Sequence, residues 1–244
     1  MSDDLLARAQ RLWTVLAGVP STAYPGAPVT VEVAPGSGLC PPGWAGVVRL
    51  GDTALLTAPT EAVAEQLRRA AAVLTAAALA DPLRLGALAP PREVLGPARL
   101  GYLSAELFRP VTGPARAVVA LPAGHRAIQE LLARAGQEDR DECGLADVTS
   151  PVFTVVDGER ADGAPVAVAA CGYRSWPGGA AHLCVLTDPA HRSRGLARQV
   201  ASAAVTHALE AGLLPQWRAR PAASRRVARA LGFRELGEQL SLRY

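Results

Sequence analysis

"AHLCVLTDPAHRSRGLARQV", residues 181–200, decides the fold. Its first seven residues are an apolar run that reads as a buried strand, and its end opens an alanine-rich stretch with helical spacing. Between the two, Arg192, Arg194 and Arg198 surround Gly195. A glycine where a strand hands over to a helix lets the backbone come close to a ligand, and the first amides of the helix face outward at the positive end of its dipole. Such a turn suits phosphate, and arginines add charge-assisted donors. The same letters also describe a solvated basic turn, and the turn alone does not decide between these readings.

The surroundings alternate strands and helices in short order. Upstream, "ARAVVAL" (115–121) reads as a strand and "HRAIQELLARAG" (125–136) as a helix. "PVFTVV" (151–156) and "APVAVAACGY" (164–173) are strands joined by the polar hairpin loop "DGERADG" (157–163), and the strand "AAHLCVLT" (180–187) follows. Downstream, Leu196, Val200, Ala203, Ala204, His207 and Ala208 keep helical spacing up to a stop at Gly212. "LLPQWRAR" (213–220) is then a strand, "AASRRVARAL" (222–231) a helix capped by Gly232, and "FRELGEQLSLRY" (233–244) a final strand.

The N-terminal half has a different texture. Leu5, Leu6, Ala9, Leu12, Trp13 and Leu16 share one face of a helix over residues 3–16, with Asp3 or Asp4 suited to its first turn. A Pro- and Gly-rich stretch surrounds the strand "VTVEV", and "AGVVRLGDTALLTAP" is a hairpin turning at Gly51-Asp52. One long helix is expected from Thr60 to Leu79, ended by Asp81-Pro82, with a further strand near "ARLGYLSAEL". "APGSGLC" (34–40) lacks the strand–helix setting of a nucleotide loop and reads as an ordinary turn. Two domains are expected, residues 1–112 and 113–244.

Composition sets the outer limits. Half of the 244 residues are hydrophobic and 19% are charged, which describes a globular chain. No apolar run approaches the ~20 residues needed to cross a bilayer, and "MSDDLLARAQ" is acidic where a secretory signal is basic. A cytoplasmic protein without a membrane partner is expected. The net charge of +3 is too small to imply nucleic acid. All 25 basic residues are arginine, so no lysine serves as a Schiff base, and the absence of lysine and asparagine suggests a GC-rich bacterial genome. Cys40, Cys143, Cys171 and Cys184 show no C-x-x-C spacing, so reduced thiols and no metal site are expected. The pattern is compatible with a homodimer.

"VLTDPAHRSRGLA", then a helix, then "GLLPQW", then "SRRVARALGF" and a closing strand, resembles the acetyl-coenzyme A core of the GNAT N-acetyltransferase superfamily over roughly residues 150–244. Within it the chain looks closest to a branch with an extra N-terminal half. The resemblance implies an α/β (α+β) fold: a mixed, mainly antiparallel sheet flanked by helices and split where the coenzyme enters, with an additional N-terminal α/β domain. That domain would be a second GNAT-like half or a cap on the acceptor site.

The resemblance also assigns roles. Arg192, Ser193, Arg194, Gly195, Leu196 and Ala197 would wrap the pyrophosphate of acetyl-CoA. Val185, Leu186 and Thr187 would line its pantetheine arm, Val185 and Leu186 with main-chain groups, and Ser224 would flank it. Pro221 stands where the family carries an asparagine, and Ala228 where it carries its tyrosine general acid. Ser224, Tyr173, Tyr244 or solvent would then protonate the departing thiolate. His182 occupies the place of a frequent catalytic glutamate, and an imidazole can do that work; a histidine satisfied by a neighbouring strand, or facing solvent, is the competing reading. Glu142 is a second candidate base. Trp176 and Trp217 are either acceptor-site aromatics or core. Arg225, Arg226 and Arg229 either reach the 3′-phosphate or are solvated. The implied function is acetyl transfer to a primary amine of a small molecule. The alternatives are a non-catalytic acyl-CoA sensor, or acetylation of a protein N-terminus or lysine.

Overall fold

The computed structural model describes residues 2–21, 27–112, 117–159, 163 and 165–244. The chain forms two compact units, one of Met1–Tyr102, Arg218–Arg225 and Arg234–Tyr244, the other of Leu103–Trp217 and Arg226–Phe233. The closing segment of the chain therefore folds with its N-terminal residues.

In the first unit, helix α1 (Ser2–Ala17) buries Leu5, Ala9, Leu12 and Trp13, the stripe set by helical periodicity. The Trp13 indole N–H donates to the hydroxyl of Tyr102, so the largest buried ring keeps its polar atom satisfied. Strands β1 (Val29–Val33), β2 (Ala45–Leu50), β3 (Thr53–Ala58), β4 (Glu93–Tyr102) and the chain's last strand, β10 (Arg234–Arg243), lie in the order β1-β3-β2-β10-β4. β1 is parallel to β3; the other neighbours are antiparallel, with Leu240 opposite Val47 and Gln239 opposite Ala98. The β2–β3 hairpin turns at Gly51, whose φ of 58° suits glycine.

The single helix expected over residues 60–79 is instead two, α2 (Glu61–Ala71) and α3 (Ala76–Leu79). Thr75 adopts an extended conformation and its hydroxyl accepts the Ala78 amide, so a new helix start outweighs the alanine propensity around it. Asp81-Pro82, read as a stop, begins a further helix, α4 (Pro82–Leu88). Asp81 accepts the Leu83 amide at 2.9 Å and Pro82 occupies the first turn, where its missing N–H costs nothing. Leu67, Leu79 and Leu85 from these helices pack with Val47, Leu56, Leu240 and Leu242 of the sheet.

In the second unit, strands β5 (Val118–Leu121), β6 (Val152–Glu159), β7 (Pro165–Trp176), β8 (Ala180–Thr187) and β9 (Leu214–Ala219, whose last two residues count with the first unit) lie in the order β9-β8-β7-β6-β5. All neighbours are antiparallel except β8 and β9, which are parallel. The strand expected from Ala115 and the loop at 157–163 fall partly outside the described residues. Helix α5 (Arg126–Arg134) sets Ile128, Leu131 and Leu132 against Val152, Ala170 and Leu186. Helix α7 (Leu196–Glu210) covers the opposite face, where Tyr173 reaches its His207. A short polar helix, α6 (Gln137–Cys143), ends at Gly144 beside Cys184. Helix α8 (Ala222–Ala230) closes at Gly232, with φ of 98° and a Cβ position only 2.0 Å from the Leu107 carbonyl oxygen, so no side chain fits there. Both units are thus mixed α/β with mainly antiparallel sheets. No helix among the described residues is long and apolar enough to cross a membrane.

Candidate functional site

β8 has two unlike edges. One pairs with β7 along its whole length, from Trp176 opposite Ala180 to Ala169 opposite Thr187. The other pairs with β9 only where Ala180, Ala181 and His182 face Leu214, Pro215 and Gln216. From Leu183 onward that edge has no described strand beside it, so alternate main-chain groups of Val185, Leu186 and Thr187 are left to other partners. Leu186 is buried, Val185 and Thr187 half-buried, and the Thr187 hydroxyl is shielded with no partner among the described atoms.

Asp188 starts the turn that follows. Its Oδ1 accepts the Ala190 amide at 3.0 Å, and its Oδ2 accepts from Arg134 Nε at 2.8 Å. The hydrogen bond from Arg134 holds the Asp188 carboxyl below the usual carboxylate range, against the opposing effect of burial. Two left-handed residues come next, Ser193 at φ 63° and Gly195 at φ 76°, and Ser193 is the one non-glycine with positive φ among the described residues. A serine held there stores strain of the kind found at ligand clamps. Gly195 is the N-cap of α7 and has no side chain to offer the amides of Leu196, Ala197 and Arg198, while the Gln199 amide already bonds the Gly195 carbonyl. A Cβ at Gly195 would meet nothing within 4 Å. Alternating left-handed turns with outward amides make a concave, electropositive nest. Arg192, Ser193, Arg194 and Arg198 are exposed around it, and Arg192 Nη2 pairs with Asp139 Oδ2 of α6 at 2.6 Å.

His182 stands at the last rung before β8 and β9 part. Its Nδ1 lies 2.5 Å from Oε1 of Gln216, which is fully buried. The Trp176 indole stacks on the imidazole, with ring centroids 4.3 Å apart and planes at 16°. Trp176 reaches this ring across the strand pair: Arg174, two residues before it, is the register partner of His182, so Trp176 and His182 leave the sheet on the same face.

Residues 161–239 match a family model described as GNAT acetyltransferase. This stretch, about a third of the chain, is similar to GNAT acetyltransferase domains. Among solved structures, a GNAT-family protein from Novosphingobium aromaticivorans is 21% identical, over 62% of this chain and 65% of its own, with a TM-score of 0.46. A GCN5-related N-acetyltransferase from Kribbella flavida is 18% identical, over 66% of this chain and 63% of its own, with a TM-score of 0.48. An acetyltransferase of the GNAT family from Colwellia psychrerythraea is 14% identical, over 66% and 62%, with a TM-score of 0.45. In each case the match spans less than two thirds of the solved chain. No curated protein matches this one. The family-model match over residues 161–239 supports acyl transfer as the chemistry.

The other expected residues are dispersed over both units. Tyr173 is the register partner of Leu183, which turns it to the face opposite His182. Its hydroxyl lies 2.9 Å from His207 Nδ1, and burial raises its pKa. Tyr244 belongs to the first unit, where burial pushes its phenol up to about 12. Ser224 is half-buried on α8 and counts with the first unit. Arg225 grips both oxygens of Glu235, at 2.8 and 2.7 Å. Trp217 is buried and meets Phe233 edge-on at 5.4 Å, which is core packing. Sequence reading missed Gln216 and Arg134. A glutamine inside the strand "LLPQW" was the available signal, since a buried amide needs a partner; Arg134 carried no local signal.

Proposed function

We propose that the protein transfers an acetyl group from acetyl-CoA to a primary amine of a small molecule. The observation that carries this reading is the nest at Ser193–Gly195, opening onto a helix start with no side-chain cap, directly after the part of the β8 edge that has no described strand beside it. A diphosphate fits such a corner through the amides of Gly195, Leu196 and Ala197, aided by Arg192 and Arg194. Ser193 shapes the nest. The amides of a pantetheine arm fit the free edge at Val185, Leu186 and Thr187, whose orphan hydroxyl is a further donor. From Thr187 back to His182 is five residues, about 16 Å of extended strand, so an arm lying along β8 brings its far end to the imidazole.

When bound, acetyl-CoA supplies an acyl group activated as a thioester. The chain's own work is to orient and to move protons. His182 takes the proton that the attacking amine must lose. Ser224 is proposed as the group that flanks the arm and returns a proton to the thiolate. In this reading the protein is cytoplasmic.

Calorimetry with acetyl-CoA and free CoA, followed by thiol release across an amine panel, tests the reading. Binding of both with turnover of a small amine is expected. Absence of binding would overturn it. Ala228 in the place of the family's tyrosine favours one alternative, a non-catalytic acyl-CoA sensor, for which the same experiment would show tight binding and no turnover with any amine.

A further inference from the structure

We infer that Gln216 is a positioning residue that fixes His182 as its Nδ1–H tautomer and leaves Nε2 as the proton-accepting atom; this rests on the assignment of His182 as the base. His182 and Gln216 are register partners on the parallel strands β8 and β9, so their side chains leave the sheet on the same face. The amide oxygen Oε1 lies 2.5 Å from Nδ1. An amide oxygen only accepts, so the neutral ring must carry its hydrogen on Nδ1. In the opposite amide orientation Nε2 of Gln216 would donate and the tautomer would invert, which makes the inference directly measurable.

Two further observations support it. Gln216 is fully buried between the buried residues Pro215 and Trp217, and its Nε2 has no partner among the described atoms. A buried amide is costly where leucine would not be, so contact with His182 is what the glutamine adds; which amide atom makes that contact is what the spectrum reads. One face of the ring is covered by the Trp176 indole at 4.3 Å, which fixes its plane as Gln216 fixes its rotation. The titratable groups that flank the ring from packed elements are Arg174, its register partner on β7, Cys184 two residues on, and Glu142 and Cys143 of α6, which packs against β8. A ring held as its Nδ1–H tautomer is basic at Nε2, the atom that a general base needs.

The tautomer is read by nitrogen NMR of protein labelled with 15N-histidine, without coenzyme or acceptor. The chain has four histidines, and the His182 signals are those lost in His182→Gln. The neutral wild-type ring is expected to show protonated Nδ1 and bare Nε2. Gln216→Met should abolish that preference, and Gln216→Glu, which keeps an acceptor oxygen, should restore it. With a working amine, kcat of Gln216→Met should fall about tenfold, with KM for acetyl-CoA unchanged. A wild-type ring protonated at Nε2 would overturn the inference, and so would a Gln216→Met ring with the wild-type pattern. If Gln216→Met fails to fold, the wild-type spectrum decides alone. Full turnover by His182→Ala would instead overturn the assignment of the base, an outcome distinct from the tautomer result.

Discussion

Arg134, at the last turn of α5, donates from Nε to Asp188 at 2.8 Å and from Nη2 to the Ala167 carbonyl at 2.5 Å, and so joins one helix to β7 and to the residue that begins the arginine turn. Asp188 is buried, so removing Arg134 strands a carboxylate. Arg134→Met is expected to lower stability by about 1–3 kcal/mol. The Asp188 pKa is depressed in the fold, chiefly by Arg134. The pair's contribution is therefore complete above the unfolded aspartate pKa of about 4, and is lost as pH falls through the lower folded value. Thermal melts across pH should show wild type and Arg134→Met converging in acid. A gap in Tm that stays constant through the acid range would contradict the pairing.

Ser193 and Gly195 separate backbone from side chain in the proposed nest. Ser193→Gly removes a left-handed serine and is expected to raise stability by up to about 1 kcal/mol, with CoA affinity retained because the cradle is made of amides. Gly195→Ala meets no atom but forces a Cβ into φ 76°, costing about 1–2 kcal/mol. Gly195→Asp adds an anion at the same place and should abolish CoA binding. Scanning fluorimetry and calorimetry measure both effects; loss of CoA affinity in Ser193→Gly would assign binding to the hydroxyl instead.

Asp139 competes with any phosphate for Arg192, since the two charges sit 2.6 Å apart and are largely exposed. An exposed pair is worth no more than about 1 kcal/mol, so Asp139→Asn should tighten CoA binding by up to about fivefold, with the gain shrinking at high salt. An unchanged Kd would mean that Arg192 does not reach the ligand.

The C-terminal half was legible because its strands are continuous apolar runs and its helices end at Gly212 and Gly232, both at positive φ. Short polar α6 escaped because four of its seven residues are acidic and show no apolar stripe. The break between α2 and α3 depends on one hydroxyl, that of Thr75, which alanine-rich periodicity hides. At the candidate site, the turn and His182 could be placed from local pattern. The partners that give them chemistry, Arg134 for Asp188 and Gln216 for His182, lie 54 and 34 residues away in sequence. Only register between strands and helix docking brings them together, and neither leaves a local signature.

Trp176 offers an internal reporter of its neighbour. An imidazolium stacked on an indole accepts an electron from the excited ring far better than neutral imidazole does, so protonation of His182 should quench Trp176 emission. The chain has four tryptophans; Trp13 donates to Tyr102 and Trp217 meets Phe233, so the His182→Gln comparison isolates the Trp176 signal. Lowering the pH through the imidazole titration should reduce emission in the wild type as a single step. The step should vanish in both Trp176→Phe and His182→Gln, and survive in His207→Gln, because His207 contacts Tyr173 and Phe153 rather than an indole. A step that persisted in Trp176→Phe would show that the two rings are not stacked in solution.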